Sequence, residues 1–364
     1  MTARSTPSAK ATKRVSLALQ GGGAHGAFTW GVLDEILRDG RLEIEGVTGA
    51  SAGAVNAVLL ADGLAEGGPK AARERLSRFW KAASIDGSMP TLQRRALDRL
   101  FSVMPYEGSL MQTWVDQVQR YFSPYDLNPF DINPLEDLIR SFVDFDRLAA
   151  FDGIKVFISA TNVRTGKLTI FRREAITCRA VMASACLPML FKAVEIDGTP
   201  FWDGGYMGNP PLFPLYRTTE TEDILLVQIN PILRQETPTS SRDIMNRINE
   251  ITFNSSLQAE LRAAAFVARL VDEGRLPRGR KEGAYKRVHL HRIALSEALD
   301  GLTAGSKVVT DYDFLVSLQE AGKKAARKFL RTKFDRIGEA STVDLEAEIA
   351  AEWEIGRASC RERV

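Results

Sequence analysis

The serine in Gly49-Ala50-Ser51-Ala52-Gly53 is the residue best placed for covalent chemistry. A short apolar run, Ile44 to Thr48, precedes this Gly-x-Ser-x-Gly pentapeptide, and a good helix former, Ala52 to Ala61, follows it. Strand, turn and helix in that order hold a serine on a sharp bend with its hydroxyl accessible. Glycines on both sides, Gly49 and Gly53, tolerate a strained backbone and close neighbours. The pentapeptide is common by itself, so its weight depends on its company.

That company begins with Gly21-Gly22-Gly23-Ala24-His25-Gly26, a glycine loop between a strand and a helix. Gly21, Gly23 and Gly26 satisfy G-x-G-x-x-G, so a dinucleotide-binding module must be weighed. Such a module needs an acidic residue at the carboxyl end of the second strand. Glu43 and Glu45 lie at its beginning, and its end is the serine turn. The other use of the loop is to aim backbone N–H groups at a transient oxyanion beside a nucleophilic serine. Loops at the carboxyl ends of adjacent parallel strands can meet, which favours an oxyanion hole.

A serine nucleophile needs a base. Asp203 ends an apolar strand, is followed by Gly204 and Gly205, and stands among Trp202, Tyr206 and Met207. Desolvation there would raise the carboxylate's pKa and make it a better base. His289 and His291 alternate along a strand, and the order Ser51, Asp203, histidine is that of α/β-hydrolase triads. A Ser–Asp–His esterase is therefore the alternative, and a non-catalytic binding module a third reading. No third ligand accompanies the two histidines, so neither metal nor cofactor is expected.

The elements that position these residues open with Val15 to Leu19, a buried strand, and a helix over Ala27 to Arg38 with Phe28, Val32, Leu33, Ile36 and Leu37 in helical period. The second strand and serine turn complete β–loop–α–β–turn–α, the beginning of a parallel sheet with helices on its faces. Pro69 to Ala83 reads as a surface helix. Within 84–134, Leu97, Leu100, Phe101 and Met104 share a helical face near Arg94, Arg95 and Arg99, either an ordinary packed insertion or an amphipathic lid or membrane-contact helix. Further strands are expected at Ile154 to Ala160, Lys167 to Phe171, Ile224 to Ile229 and Arg287 to Leu295. A helix spans Ile176 to Ala185, and a hairpin turns at Asp197-Gly198. Long helices are expected over Asp243 to Asp272, broken near Asn254-Ser255-Ser256, and over Tyr312 to Phe334.

The chain has 364 residues, 45% of them hydrophobic, enough for a sizeable core. With 48 basic and 46 acidic residues, no global field points to nucleic acid. Local basic stretches, Gly274 to Arg292 and Lys323 to Arg336, could touch anionic headgroups or be solvated faces. Cys178, Cys186 and Cys360 have no metal-like spacing, which points to a reducing compartment and a cytoplasmic protein, peripheral to membranes if it meets them. Residues 354–364 read as a translated adapter sequence rather than native protein.

Taken jointly and in order, the glycine loop, the serine pentapeptide, Ala183-Ser184-Ala185-Cys186-Leu187-Pro188 and Asp203-Gly204-Gly205 resemble the patatin-like phospholipase family. The resemblance implies a three-layer α/β/α fold with a mainly parallel central sheet and a metal-free acyl hydrolase acting on lipid esters. It implies Ser51 as nucleophile, Asp203 as base and Gly21, Gly22 and Gly23 as the oxyanion hole, with Gly26, Gly49, Gly53, Gly204 and Gly205 as supporting motif glycines. The family usually carries Arg or Lys where this chain has His25, which is expected to pack rather than to carry charge. The expected organisation is a polar tail (1–14), a catalytic domain (15–230), a mostly helical C-terminal extension packed on it (231–353) and the non-native tail. Head group, acyl specificity and oligomeric state are left open.

Overall fold

A computed structural model describes residues 12–84, 123–128, 133–234, 236–279, 281, 283–297 and 311–349. The stretch holding Leu97, Leu100, Phe101 and Met104 lies outside these residues, as do Cys360 and the tail from 350 onward.

Alternation along the strands builds two cores. In β1 (Lys13–Leu19), Val15, Leu17 and Leu19 face one side, and Ala18 the other. In β7 (Asp223–Gln228), Leu225 and Val227 join the first core, and Ile224 and Leu226 the second. A strand buried on both faces is what a parallel sheet between two helical layers requires. Strands β8 (His289–Ala294), β7, β1, β2 (Leu42–Gly49) and β3 (Lys155–Asn162) run parallel in that spatial order. Three more strands, β4 (Leu168–Arg172), β5 (Val194–Ile196) and β6 (Thr199–Asp203), close the sheet with antiparallel pairings.

The first helical layer contains α1 (Gly26–Asp39), α2 (Ala52–Ala82), α4 (Pro134–Phe142), α5 (Phe145–Ala150) and α6 (Cys178–Ser184), and a short turn of helix, α3 (Pro124–Leu127), lies before α4 in the chain. Helix α2 is interrupted at Gly67 and Gly68, both non-helical, directly before Pro69. The expected stop near Gly63 and restart at Pro69 are thus one kinked element. The second layer holds α7 (Phe213–Thr218) and α8 (Ser241–Asp272), whose Leu212, Leu215, Leu257 and Leu261 cover Ala18, Ile224 and Leu226.

Residues beyond 230 add to both layers and to the sheet: β8 extends it, and α9 (Tyr312–Thr332) lies along α1. Arg327 pairs with Glu35 at 3.1 Å and Lys323 with Asp34 at 3.6 Å across that contact. Helix α8 is unbroken, contrary to the expectation at Asn254-Ser255-Ser256. Asn254 turns inward, donating to the Pro231 carbonyl at 3.0 Å and accepting from Gln20 Nε2 at 2.9 Å. Ser255 Oγ donates back to the Thr252 carbonyl at 2.8 Å. Polar side chains that find such partners do not compete with the helical backbone.

Candidate active site

Strand β3 brings Ser51 and Asp203 together. Its residues 155–158 pair with β2, and 160–162 pair with β6. Strand β4 pairs with 157–161, overlapping both, so β2 and β6 share the opposite edge of β3. Strand β2 leaves that edge at Gly49, opposite Ile158, and β6 runs back to end at Asp203, opposite Ala160. The two strands meet end to end, and the gap between them is the serine turn.

In that turn Ser51 has φ 53°, ψ −126°, a strained conformation for a residue with a side chain. The bend is held by Gly53 N–H to the Ala50 carbonyl at 2.8 Å and by Ser51 N–H to Ser184 Oγ at 3.0 Å. Gly53 is obligatory because a Cβ would strike the Leu19 carbonyl. Gly21 is likewise required: its Cβ would lie 2.5 Å from the Ala50 carbonyl oxygen and 2.6 Å from Ser51 Cβ. The glycine loop therefore runs directly against the serine. Ser51 is 8% exposed.

Asp203 is 0% exposed. Its Oδ1 accepts from Gly205 N–H at 2.7 Å, its backbone N–H donates to the Cys186 carbonyl at 2.8 Å, and its carbonyl accepts from Thr161 Oγ1 at 2.8 Å. Burial pushes the carboxyl up to about 7, against the opposing hydrogen bonds from Gly205 N–H and the Ser51 hydroxyl. Oδ2 closes no hydrogen bond of good geometry, so the Ser51 contact is a loose one. Loose contacts of this kind are common in unliganded catalytic sites. The segment Ser184 to Cys186 thus clamps both residues, Ser51 through a side chain and Asp203 through a carbonyl.

Gly21, Gly22 and Gly23 divide in role. Gly21 N–H donates to Asn209 Oδ1 at 2.6 Å, and its carbonyl accepts from Asn230 Nδ2 at 2.7 Å. Gly21 N–H is therefore already committed. Among the described residues, the N–H groups of Gly22 and Gly23 have no acceptor. Gly22 caps and Gly23 begins the helical turn that leads into α1, where N–H groups lack partners by construction and favour negative charge. Gln20 Oε1 fixes the same loop by accepting from the N–H groups of Ile229 and Asn230 at 2.8 and 2.7 Å. Asn209, Asn230 and Gln20 escaped the sequence reading. Only an Asn six residues after Asp203, before two prolines, hinted at Asn209.

Of the supporting glycines, Gly26 abuts Ala52 and Trp80, Gly49 abuts Gly53, Gly204 abuts Ser159, and Gly205 abuts Phe253. His25 is buried.

The two strand histidines are elsewhere. Gly49 pairs with Leu19, Leu19 with Val227 and Val227 with Ile293, so the serine end of the sheet lies beyond His291. Three strand spacings, about 14 Å, separate β8 from β2. His291 Nε2 lies 2.9 Å and His289 Nδ1 3.4 Å from Asp223 Oδ1, which also accepts from Gly338 N–H at 2.8 Å. The histidines serve Asp223, not Ser51, and the Ser–Asp–His arrangement does not form. Glu45, at the amino end of β2, accepts from the N–H groups of Glu220 and Thr221 and from Lys155, so it holds a loop rather than a ribose. No group of three or more His, Cys, Asp or Glu capable of holding a metal occurs among the described residues.

No curated protein matches the chain. Among solved structures, VipD from Legionella pneumophila aligns at 14% identity and TM-score 0.37, covering 86% of this chain and 68% of that one. The type III effector ExoU aligns at 15% identity and TM-score 0.39, and ExoU in its heterodimeric complex with SpcU from Pseudomonas aeruginosa at 16% and 0.37. The chain covers 53% and 60% of those two ExoU chains, while 88% and 97% of this chain align. The sequence model of the patatin-like phospholipases matches residues 17–216, more than half of the chain and all of the motifs described above. The chain belongs to the patatin-like phospholipase family, and it is a lipid acyl hydrolase.

Proposed function

We propose that this lipid acyl hydrolase works through Ser51 and Asp203 without a histidine, using the Gly22 and Gly23 N–H groups as its oxyanion hole. Asp203 carries the reading: a fully buried carboxylate with one closed hydrogen bond, a pKa near 7 and the Ser51 hydroxyl as its second partner. A base poised near the working pH transfers protons most efficiently.

In the reaction Ser51 Oγ attacks the ester carbonyl carbon as Asp203 takes the hydroxyl proton. The carbonyl π electrons move to oxygen, and the resulting oxyanion is held by the two N–H donors. Collapse of the tetrahedral intermediate breaks the ester C–O bond, and the departing alkoxide takes the proton from Asp203. The acyl group remains on Ser51. Water then gives a proton to Asp203 and attacks the acyl carbon. Collapse returns that proton to Ser51 Oγ and releases the fatty acid. Residues 15–230 carry this chemistry, and 231–353 form the extension that supports it through Asn254 and α8.

The test is turnover of a phospholipid and of a short soluble ester. Ser51→Ala abolishes both and Asp203→Asn lowers both by about 100-fold or more, whereas His289→Ala and His291→Ala retain them at temperatures where the variants stay folded. Near-normal turnover by Asp203→Asn would refute the reading.

A further inference from the structure

Helix α8 has its polarity reversed along its first half. Its inward positions include Glu250, paired with Arg234 at 2.6 Å, and Asn254, bonded to Gln20. Its outward positions carry Ile244, Met245, Ile248 and Ile251 and, about four helical turns further on, Phe266, each between 43% and 58% exposed. At 100° per residue these five side chains fall on one side, opposite Glu250, Leu257 and Leu261. An amphipathic helix of a protein surrounded by water turns the other way.

The outward face is also free of acid. Between Ile244 and Val271 the carboxylates are Glu250 and Glu260. Glu250 is buried, and Glu260 accepts from the N–H groups of Leu212 and Phe213 at 2.8 Å each. Arg262 and Arg269 stand exposed near the far end, with the Arg269 guanidinium 5.4 Å from the centroid of Phe266 and its Nε 4.0 Å from Glu273, beyond the end of the stripe. Apolar residues flanked by arginine, with no carboxylate between, complement an anionic lipid surface.

The same helix touches the catalytic apparatus. Phe253 packs on Gly205 and lies tilted against Tyr206, with ring centroids 5.0 Å apart, two and three residues after Asp203. Arg247 donates to the Ile232 carbonyl at 2.7 Å, which sets exposed Ile232 and Leu233 beside the apolar stripe. The basic stretch from Gly274 to Arg292 is largely engaged within the chain. Arg278 pairs with Glu222, Arg287 with Asp272 and Arg292 with Glu348, while Lys286 donates to the carbonyls of Thr219 and Thr221.

We propose that the outward face of α8, centred on Ile244, Met245, Ile248 and Ile251, seats the enzyme on an anionic lipid bilayer beside its active site. The occupant rests on the lipid-hydrolase reading, so binding and turnover are measured separately.

The probe is co-sedimentation with vesicles of phosphatidylcholine plus phosphatidylglycerol, and of phosphatidylcholine alone, using Ser51→Ala protein so that no lipid is consumed. Adding Ile248→Asp and Ile251→Asp together weakens binding to the mixed vesicles by about tenfold or more, with Met245→Asp as a milder second variant. Binding to phosphatidylcholine alone is weaker throughout. In the Ser51-bearing enzyme the same double substitution lowers vesicle-phospholipid hydrolysis in parallel and leaves turnover of a soluble short-chain ester unchanged. If Ser51→Ala keeps its turnover, the catalytic reading fails while the sedimentation result still judges this surface. Undiminished sedimentation of the double variant would overturn the proposal. A wild-type dimer that the double variant dissociates would overturn it in favour of a second copy. A large fall in melting temperature on introducing the two aspartates would overturn it in favour of cover by the chain itself.

Discussion

Two buried aspartates at opposite ends of one sheet have opposite fates. Asp223, at the amino end of β7, receives His289, His291 and the Gly338 N–H. Burial alone would raise its pKa, but those hydrogen bonds hold the carboxyl well below the usual carboxylate range. Asp203, at the carboxyl end of β6, has one closed backbone hydrogen bond and a hydroxyl, and its carboxyl rises to about 7. Burial is common to both, so the number of donors decides the outcome. The carboxylate with more donors is held ionised, and the one with fewer keeps a higher proton affinity, as the proposed base requires.

The largest test of this contrast is exchange of the two residues' consequences. Asp203→Asn lowers kcat/KM on a soluble ester by ~100- to 10,000-fold, the range spanned by general-base catalysis. Asp223→Asn, assayed well below its melting temperature, stays within a few-fold of wild type. Comparable losses in both would erase the distinction.

Stability should move the other way. Asp223→Ala leaves two buried histidines without their acceptor and destabilises the fold by about 3–5 kcal/mol, measured by urea denaturation at pH 7. Asp223 has a lowered folded pKa, so its contribution is present above the unfolded pKa and is lost as pH falls below about 4. Asp203 has a raised folded pKa, so ionisation of the unfolded chain reduces stability progressively from about pH 4 to about pH 7. Asp203→Asn removes that penalty. Its melting temperature is therefore expected to rise relative to wild type across this window and to level off above it. The free-enzyme kcat/KM of the wild type should climb through an apparent pKa near 7, as Asp203 loses its proton.

Smaller effects sharpen the account of positioning. Asn209→Ala deprives Gly21 N–H of its acceptor and loosens the glycine loop, and kcat falls by roughly tenfold to 100-fold with KM little changed. Ser184→Ala removes the acceptor of Ser51 N–H and destabilises by about 1 kcal/mol in the same urea experiment.

Much of the site was legible in the chain because its chemistry is written in short local patterns. The serine turn needs Gly53 beside the Leu19 carbonyl, and Asp203 ends a strand that two glycines terminate. These are backbone demands, and backbone demands leave glycine in the sequence. The meeting of β2 and β6 on one edge of β3 was not legible, because it is decided by two non-local pairings, of β3 with β2 and of β3 with β6, that no short pattern records. Nor were the assignments of Asn209 and Asn230 to Gly21, since an Asn in a Pro-rich loop looks like turn chemistry. The histidines misled for a related reason: their order along the chain fits a triad, yet their strand is added at the far edge of the sheet. Helix α8 shows a further limit. Its apolar period announces a helix but not which side faces the core, and its inward side is anchored by Glu250 and Asn254.

In the proposed mechanism Ser51 is a nucleophile activated by Asp203. The most direct test is reaction with a fluorophosphonate, followed by mass spectrometric location of the adduct. The account predicts a single adduct on Ser51 in the wild type and in Asp223→Asn, labelling slowed at least about 100-fold in Asp203→Asn, and none in Ser51→Ala. An adduct on another residue, or full-rate labelling of Asp203→Asn, would contradict it.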